Sequence, residues 1–140
     1  MNKITPELIK AEVERFWKVF ASKSAQALAD FYAHEASVFG SGTNRSEPGR
    51  LAATRREREY CNSQSIVKAS VGYVDVLLIG DNVAVASYNF EFHASKIATG
   101  LNKAGTEDIT NGRATQVFSY DAEGKLRIMH EHFSVPMKVS

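Results

Sequence analysis

The feature that most constrains the fold is a change in the spacing of apolar residues near the middle of the chain. In the first half they recur at intervals of three and four residues, which is typical of amphipathic helices. From Ile66 onward, β-branched and aromatic residues fill longer runs that suit strands. Helices followed by a long series of strands predict an α+β domain, with the helices packed on one face of a bent antiparallel sheet.

The first half predicts three helices. Thr5 is suited to cap the first helix, and Pro6 fits its first position, where a missing N–H does no harm. Trp17 and Phe20 belong to the unusually aromatic inner face of this helix. The predicted ranges are about 6–21, 24–33 and 47–62 for the helices, with a short strand at 36–40.

The second half predicts an antiparallel meander. Gly80-Asp81-Asn82 supplies the turn chemistry of a tight hairpin between two strands. The strand-like stretches are 66–79, 83–93, 113–120 and 125–135.

Composition excludes several classes of protein. A chain of 140 residues is the size of one domain, so residues 1–140 are predicted to form a single unit. With a net charge of +1, the chain has no strong overall electrostatic attraction to nucleic acid or to an anionic membrane. No apolar run approaches a membrane span, and the N-terminus lacks a signal segment. We therefore expect a cytoplasmic protein without nucleic-acid or membrane partners.

Two histidines near the end of the chain are the first candidates for chemistry. His130 and His132 are two residues apart, so on a regular strand they share a face, with Ile128 and Ser134. A histidine can act as general acid or base near neutral pH. The alternative is that both imidazoles only hydrogen-bond neighbouring strands. A metal site needs a third ligand, which Asp75, Glu91 or His93 could supply, but no spacing selects one, so no metal is predicted.

Tyr88 is the candidate partner of these histidines. It lies on an otherwise apolar strand face with Ala84, Ala86, Phe90 and Phe92, where its hydroxyl could stabilise a developing oxyanion. The alternative is a core tyrosine. The strand at 113–120 could present to the two histidines either Gln116 or the face of Arg113 and Thr115. The residues predicted to line a pocket for a flat, apolar ligand are Trp17, Phe20, Tyr32, Tyr60, Phe90, Phe92 and Gln116.

The end of the chain resembles a known superfamily. The segments Gly112-Arg113-Ala114-Thr115-Gln116-Val117-Phe118, Gly124-Lys125-Leu126 and His130-x-His132-x-Ser134 resemble NTF2-like (cystatin-like) proteins, in particular SnoaL-like and ketosteroid-isomerase-like domains. They are also similar to the association domain of calmodulin-dependent protein kinase. The resemblance implies a cone: a bent sheet wrapped around the first helix, with a pocket at the open end. Because Asp75 does not fit the carboxylate pattern of the ketosteroid isomerases, we do not predict steroid isomerase activity for this chain.

Two functions of different classes follow. One is a cofactor-independent isomerase, cyclase or dehydratase, in which His130 and Tyr88 transfer protons on a small apolar carbonyl compound. The other is a non-catalytic ligand-binding or oligomerisation module. Val83, Val85 and Val117 make the outer face of the sheet apolar, which predicts a homodimer packed through the sheet.

Overall fold

Three helices and seven strands make up the described part of the chain. The structure is a computed structural model that describes residues 3–22, 25–40, 45–56, 65–96 and 107–137. The elements are α1 (Pro6–Ala21), α2 (Ala25–Ala29), β1 (Tyr32–Phe39), β2 (Glu47–Pro48), α3 (Gly49–Arg56), β3 (Ser65–Val71), β4 (Asp75–Ile79), β5 (Val83–Lys96), β6 (Glu107–Tyr120) and β7 (Leu126–Ser134). The predicted α+β class is confirmed.

The first helix forms over the predicted range. The Thr5 hydroxyl accepts a hydrogen bond from the Leu8 N–H at 3.2 Å, which satisfies one of the unpaired amides of the first turn. Pro6 occupies that first turn as expected. The residues that α1 buries against the sheet are Ile9, Val13, Phe16, Trp17 and Phe20.

The second and third helices differ from the prediction. The second ends at Ala29 instead of about residue 33, and Tyr32 already belongs to β1. The cause is pairing with a distant strand, because the Phe31 carbonyl accepts a hydrogen bond from the Ile128 N–H at 2.7 Å. The third helix begins at Gly49, since Glu47–Pro48 forms β2. Residues 57–62 of the predicted helix lie outside the described residues.

The strongly curved sheet is antiparallel apart from one pair. Its order is β2-β1-β7-β6-β5-β3, with β4 also paired to β5. The wholly antiparallel prediction is wrong for β1 and β7, which run parallel. The predicted strand 66–79 is divided into β3 and β4, and both pair with β5.

Two turns connect later strands of the sheet and set how those strands pair. Gly80 adopts a φ of 65°, a conformation that favours glycine, and Ile79 pairs with Val83 across the predicted hairpin. In the turn between β6 and β7, Asp121 accepts hydrogen bonds from the Lys125 and Glu123 N–H groups and from Arg127. The Lys125 amide contributes most to holding the pKa of the Asp121 carboxyl below its ordinary value, while desolvation acts in the opposite direction. The ionised Asp121 carboxylate stabilises the folded chain through these hydrogen bonds. That contribution to stability is lost as the pH falls through the lowered pKa of Asp121.

A bulge in β7 changes which of its residues face the helices. Val117 pairs with His130 and Phe118 pairs with Ile128, so Met129 is an additional residue in the ladder. Because of this insertion, Ile128, Glu131 and Phe133 are all buried. The expectation that Ile128 shares a face with the two histidines is therefore wrong.

Within the described residues, no helix is long and apolar enough to cross a membrane.

Candidate functional site

A chain of hydrogen bonds runs through the space between α1 and the sheet. Trp17 Nε1 donates to the Tyr88 hydroxyl at 2.9 Å, and that hydroxyl donates to Gln116 Oε1 at 2.7 Å. Gln116 Nε2 then donates to Glu131 Oε1 at 2.7 Å. The Tyr32 hydroxyl donates to Glu131 Oε2 at 2.8 Å. We refer to these five residues, of which Tyr88 is the most exposed at 5 %, as the interior polar chain.

The register of three neighbouring strands brings the members of this chain together. Gln116 on β6 lies directly opposite Glu131 on β7. Gln116 also pairs with Ala86 on β5, so Tyr88 is its diagonal neighbour on the same face. Tyr32 begins β1, whose parallel pairing with β7 places its hydroxyl at Glu131.

Aromatic side chains surround the interior polar chain. The Trp17 indole stacks on Phe90 with 4.5 Å between ring centroids, and on Phe133 with 5.7 Å. Phe20 contacts the ring of Phe92 edge to face at 5.1 Å. In such apolar surroundings each hydrogen bond is electrostatically stronger than in water, and leaving one unmade is correspondingly costly.

The third helix holds Tyr32 in place. An added Cβ at Gly49 would lie 2.6 Å from the Tyr32 ring, so only glycine permits this approach. The neighbouring Arg50 donates to the Tyr32 carbonyl oxygen at 3.5 Å. The position of the Tyr32 hydroxyl therefore depends on α3 as well as on β1.

The two candidate histidines lie on the opposite face of the sheet. His130 Nδ1 is 2.8 Å from the Ser37 hydroxyl, and His132 is exposed, with its ring 5.5 Å from that of Phe39. Because side chains alternate between faces, the sheet separates His130 from Tyr88. One substrate between α1 and the sheet cannot touch both, and the predicted pairing of these two residues is not observed.

The structure brings together most of the predicted pocket residues. Six of them are buried around the interior polar chain or belong to it: Trp17, Phe20, Tyr32, Phe90, Phe92 and Gln116. Tyr60 lies outside the described residues. Among the described residues, no group of three histidine, cysteine, aspartate or glutamate side chains is placed to hold a metal ion.

Sequence reasoning missed Glu131. Its carboxyl is completely buried, which is unusual for glutamate. The available signal was a single acidic residue between Met129 and Phe133 on a strand face that is otherwise apolar. Glu131 carries the one carboxyl group among the five residues of the interior polar chain, so it is the member whose side chain can act as a general base.

Comparison with known proteins gives a family match and several structural relatives. A model of the SnoaL-like domain matches residues 9–138. No curated protein matches the chain.

Three solved structures illustrate the structural similarity. A candidate calcium/calmodulin dependent protein kinase II association domain from Xanthomonas campestris is 20 % identical, with a TM-score of 0.76 over 99 % of this chain and 97 % of that chain. An NTF2-like superfamily protein from Salmonella enterica is 21 % identical, with a TM-score of 0.76 over 96 % and 92 %. A candidate dehydratase of the NTF2-like family from Streptomyces avermitilis is 14 % identical, with a TM-score of 0.77 over 94 % and 97 %. At these identities the likeness shows the fold alone.

Proposed function

Because the chain belongs to the SnoaL-like domain family, we propose that it binds a small, mainly apolar molecule beside the interior polar chain. In this proposal Glu131 is the polar anchor for the ligand and the group that accepts a proton from it. The buried aromatic residues supply the apolar surface. The cytoplasmic location remains a prediction from the sequence.

The observation that supports this proposal is the complete burial of the Glu131 carboxyl. Removing a charged group from water costs free energy, and a well-packed apolar side chain in the same place is often equally stable or more stable. If residue 131 served only to fill the core, a leucine would do so without the free-energy cost of burying a carboxyl group. Carboxyl groups held in apolar surroundings are typical of sites that move protons.

In this proposal Glu131 has the role that the sequence analysis gave to His130. Glu131 lies on the same side of the sheet as Tyr32 and Tyr88. The Tyr32 hydroxyl donates to it directly, whereas the Tyr88 hydroxyl is connected to it through Gln116. A carboxylate base with tyrosine hydroxyls on one side of a ligand can remove a proton and stabilise the resulting negative oxygen. This arrangement is consistent with an isomerase, cyclase or dehydratase, the classes expected from the resemblance.

Substitution of Glu131 by glutamine tests this proposal. We expect Glu131→Gln to weaken ligand binding by roughly 10- to 100-fold, because a hydrogen bond to a charged group contributes about 1.5–3 kcal/mol. Binding of small cyclic alcohols, phenols and ketones can be followed by the fluorescence of Trp17, the one tryptophan of the chain.

His130→Ala is the matched control, since it removes a polar side chain of the same strand on the opposite face. The control variant is expected to bind as the wild-type chain does. Equal affinities of Glu131→Gln and the wild type for every compound that binds would contradict the proposal.

A second function, self-association, is favoured by the outer face of the sheet. Leu77, Val85 and Val117 lie in one row across β4, β5 and β6, and Leu77 is 63 % exposed. Ile79 is also exposed and lies on the same face of β4, and we call these four residues the outer apolar row. We propose that two copies of the chain pack through it, as the sequence predicts.

A charge at Leu77, the most exposed residue of the outer apolar row, tests this second proposal. Leu77→Lys is expected to convert a dimer into a monomer at high micromolar concentration, measured by light scattering, because burying an unpaired ammonium group is costly. Leu51→Lys is the control, as Leu51 is also exposed but lies on α3. A wild-type chain that is monomeric at the same concentration would refute the proposal.

A further inference from the structure

The row of residues that contains Leu77 and Val117 continues across the sheet beyond β6. Val117 pairs with His130 on β7, and His130 pairs with Ser37 on β1, so one row crosses five strands. The Ser37 hydroxyl lies 2.8 Å from Nδ1 of His130, and this hydrogen bond holds the half-buried imidazole on the outer face. His130 is therefore the direct neighbour of the outer apolar row.

A second imidazole and an exposed aromatic ring lie beside His130. His132 is exposed, and Phe39, its partner across β1 and β7, is 37 % exposed. The centroid of the Phe39 ring lies 5.5 Å from that of His132 and 6.0 Å from that of His130. Exposed apolar side chains thus lie on both sides of the two histidines, with Leu77 on β4 at one end and Phe39 on β1 at the other.

The size of a stable interface indicates that these side chains are covered together. Four strand spacings of about 4.8 Å separate β4 from β1, which places Phe39 about 20 Å from Leu77 along the sheet. A protein interface of standard size buries about 800 Å² on each partner, which corresponds to a disc about 30 Å across. A second copy that covers an area of this size around the outer apolar row therefore also covers His130 and His132.

We propose that the contact between two copies extends across β7 to Phe39 on β1, and that the copies pair only while the imidazoles of His130 and His132 are uncharged. This inference rests on the proposed self-association. A neutral imidazole can be covered at modest cost when its polar atoms keep hydrogen bonds, as His130 does with Ser37. An imidazolium ion covered in the same place without a carboxylate partner is far more costly. Acid should therefore separate the copies.

The charges around the two histidines agree with this direction. The direct neighbours of His130 across the sheet, Val117 and Ser37, are uncharged. The charged or titratable side chains of the surrounding strands are Arg113 on β6, His34 and Glu35 on β1, and Arg127 on β7. Arg127 is paired with Asp121 at 3.1 Å, and the charges of Arg113 and Glu35 are opposite. These strands thus supply no net negative charge to hold an imidazolium ion when the face is covered.

The dissociation constant of the dimer, measured by analytical ultracentrifugation at pH 7.5 and pH 5.5, tests the proposal. A free histidine is half charged near pH 6.5, so one pH unit lower only about a tenth of it is neutral. Because both copies need the neutral form, we expect the constant to rise by roughly 100-fold at pH 5.5. In the double variant His130→Asn/His132→Asn, which cannot gain these charges, the change should be about threefold or less.

His93→Asn is the matched control for the loss of a histidine. His93 lies on β5 eight residues after Val85, up to about 26 Å along the strand and outside an interface of this size. This variant should keep the pH dependence of the wild type. Circular dichroism at both pH values checks that each variant is folded where its dissociation constant is compared.

A charge at Phe39 tests the extent of the interface without a change of pH. Phe39→Lys is expected to weaken the dimer at pH 7.5 as strongly as Leu77→Lys does, whereas Leu51→Lys should pair as the wild type does. A folded Phe39→Lys chain with the affinity of the wild type would show that the contact stops short of β1 and would overturn the proposal.

The pH series separates this inference from the self-association on which it rests. A wild-type dimer of equal affinity at both pH values overturns the inference and leaves the self-association intact. A dimer that is tighter in acid would mean that carboxylates of the second copy, such as that of Asp75, hold charged imidazoles, which also overturns the inference. A wild-type chain that is monomeric at both pH values refutes both proposals.

Discussion

Glu131→Ala is expected to reduce the free energy of unfolding by about 3–5 kcal/mol. Two buried donors, the Gln116 amide and the Tyr32 hydroxyl, would lose their acceptor, and each unsatisfied group costs about 1–3 kcal/mol. The missing side-chain atoms also leave a cavity in a packed interior. Urea unfolding followed by circular dichroism measures the loss directly.

Glu35→Ala is the control for this experiment, because Glu35 is an exposed glutamate on β1. Its effect should remain within about 0.5 kcal/mol, as is usual for surface substitutions. If Glu131→Ala costs no more than this control, the hydrogen bonds of the interior polar chain do not stabilise the fold.

Gly112→Val is expected to have an effect of similar size, about 3 kcal/mol or more. An added Cβ at Gly112 would lie 2.2 Å from Cζ of Phe90, its partner across β5 and β6. The Phe90 ring has little freedom to withdraw, because Trp17 stacks on it and Phe133 is 5.2 Å away. Overpacking a core in this way typically costs about 1–3 kcal/mol, and the two additional methyl groups of valine increase that cost.

Thermal and urea unfolding of Gly112→Ala provide a measurable smaller step if the valine variant does not fold. Gly72→Ala is the matched control, since its Cβ would meet only Asn89, at an ordinary 3.5 Å from the carbonyl oxygen. In the Gly112→Ala background, Phe90→Leu should recover part of the lost stability. A Gly112→Ala variant as stable as the wild type would show that Phe90 can move away freely.

Local patterns predicted the parts of the fold that depend on neighbours in sequence. The capping of α1 by Thr5, its inner face and the hairpin at Gly80 all follow from residues within one or two turns of one another. The alternation along β5 also placed Tyr88 correctly on the buried face. Short-range spacing was sufficient because no irregularity interrupts these segments.

The parts that the sequence did not predict depend on pairing over long distances. Alternation along 125–135 assumes one residue per ladder position, and the additional Met129 breaks that assumption. Phe31 and Tyr32 fit a helical pattern, but the Phe31 carbonyl accepts a hydrogen bond from Ile128 of β7 and Tyr32 is the first residue of β1, which pairs with β7. The interior polar chain unites residues up to 99 positions apart, and no spacing within a single segment could indicate those contacts.

The parallel pairing of β1 with β7 also determines when the domain can become complete. Ser37 and His130 are neighbours in the sheet although 93 positions separate them, and β7 is the last in sequence of the seven strands that the structure describes. Closing so long a loop is entropically costly and slows folding. During synthesis on the ribosome, Tyr32 emerges early and Glu131 only after all the other strands. Because β7 supplies the buried carboxyl, the interior polar chain cannot form on a nascent chain before β7 has been synthesised.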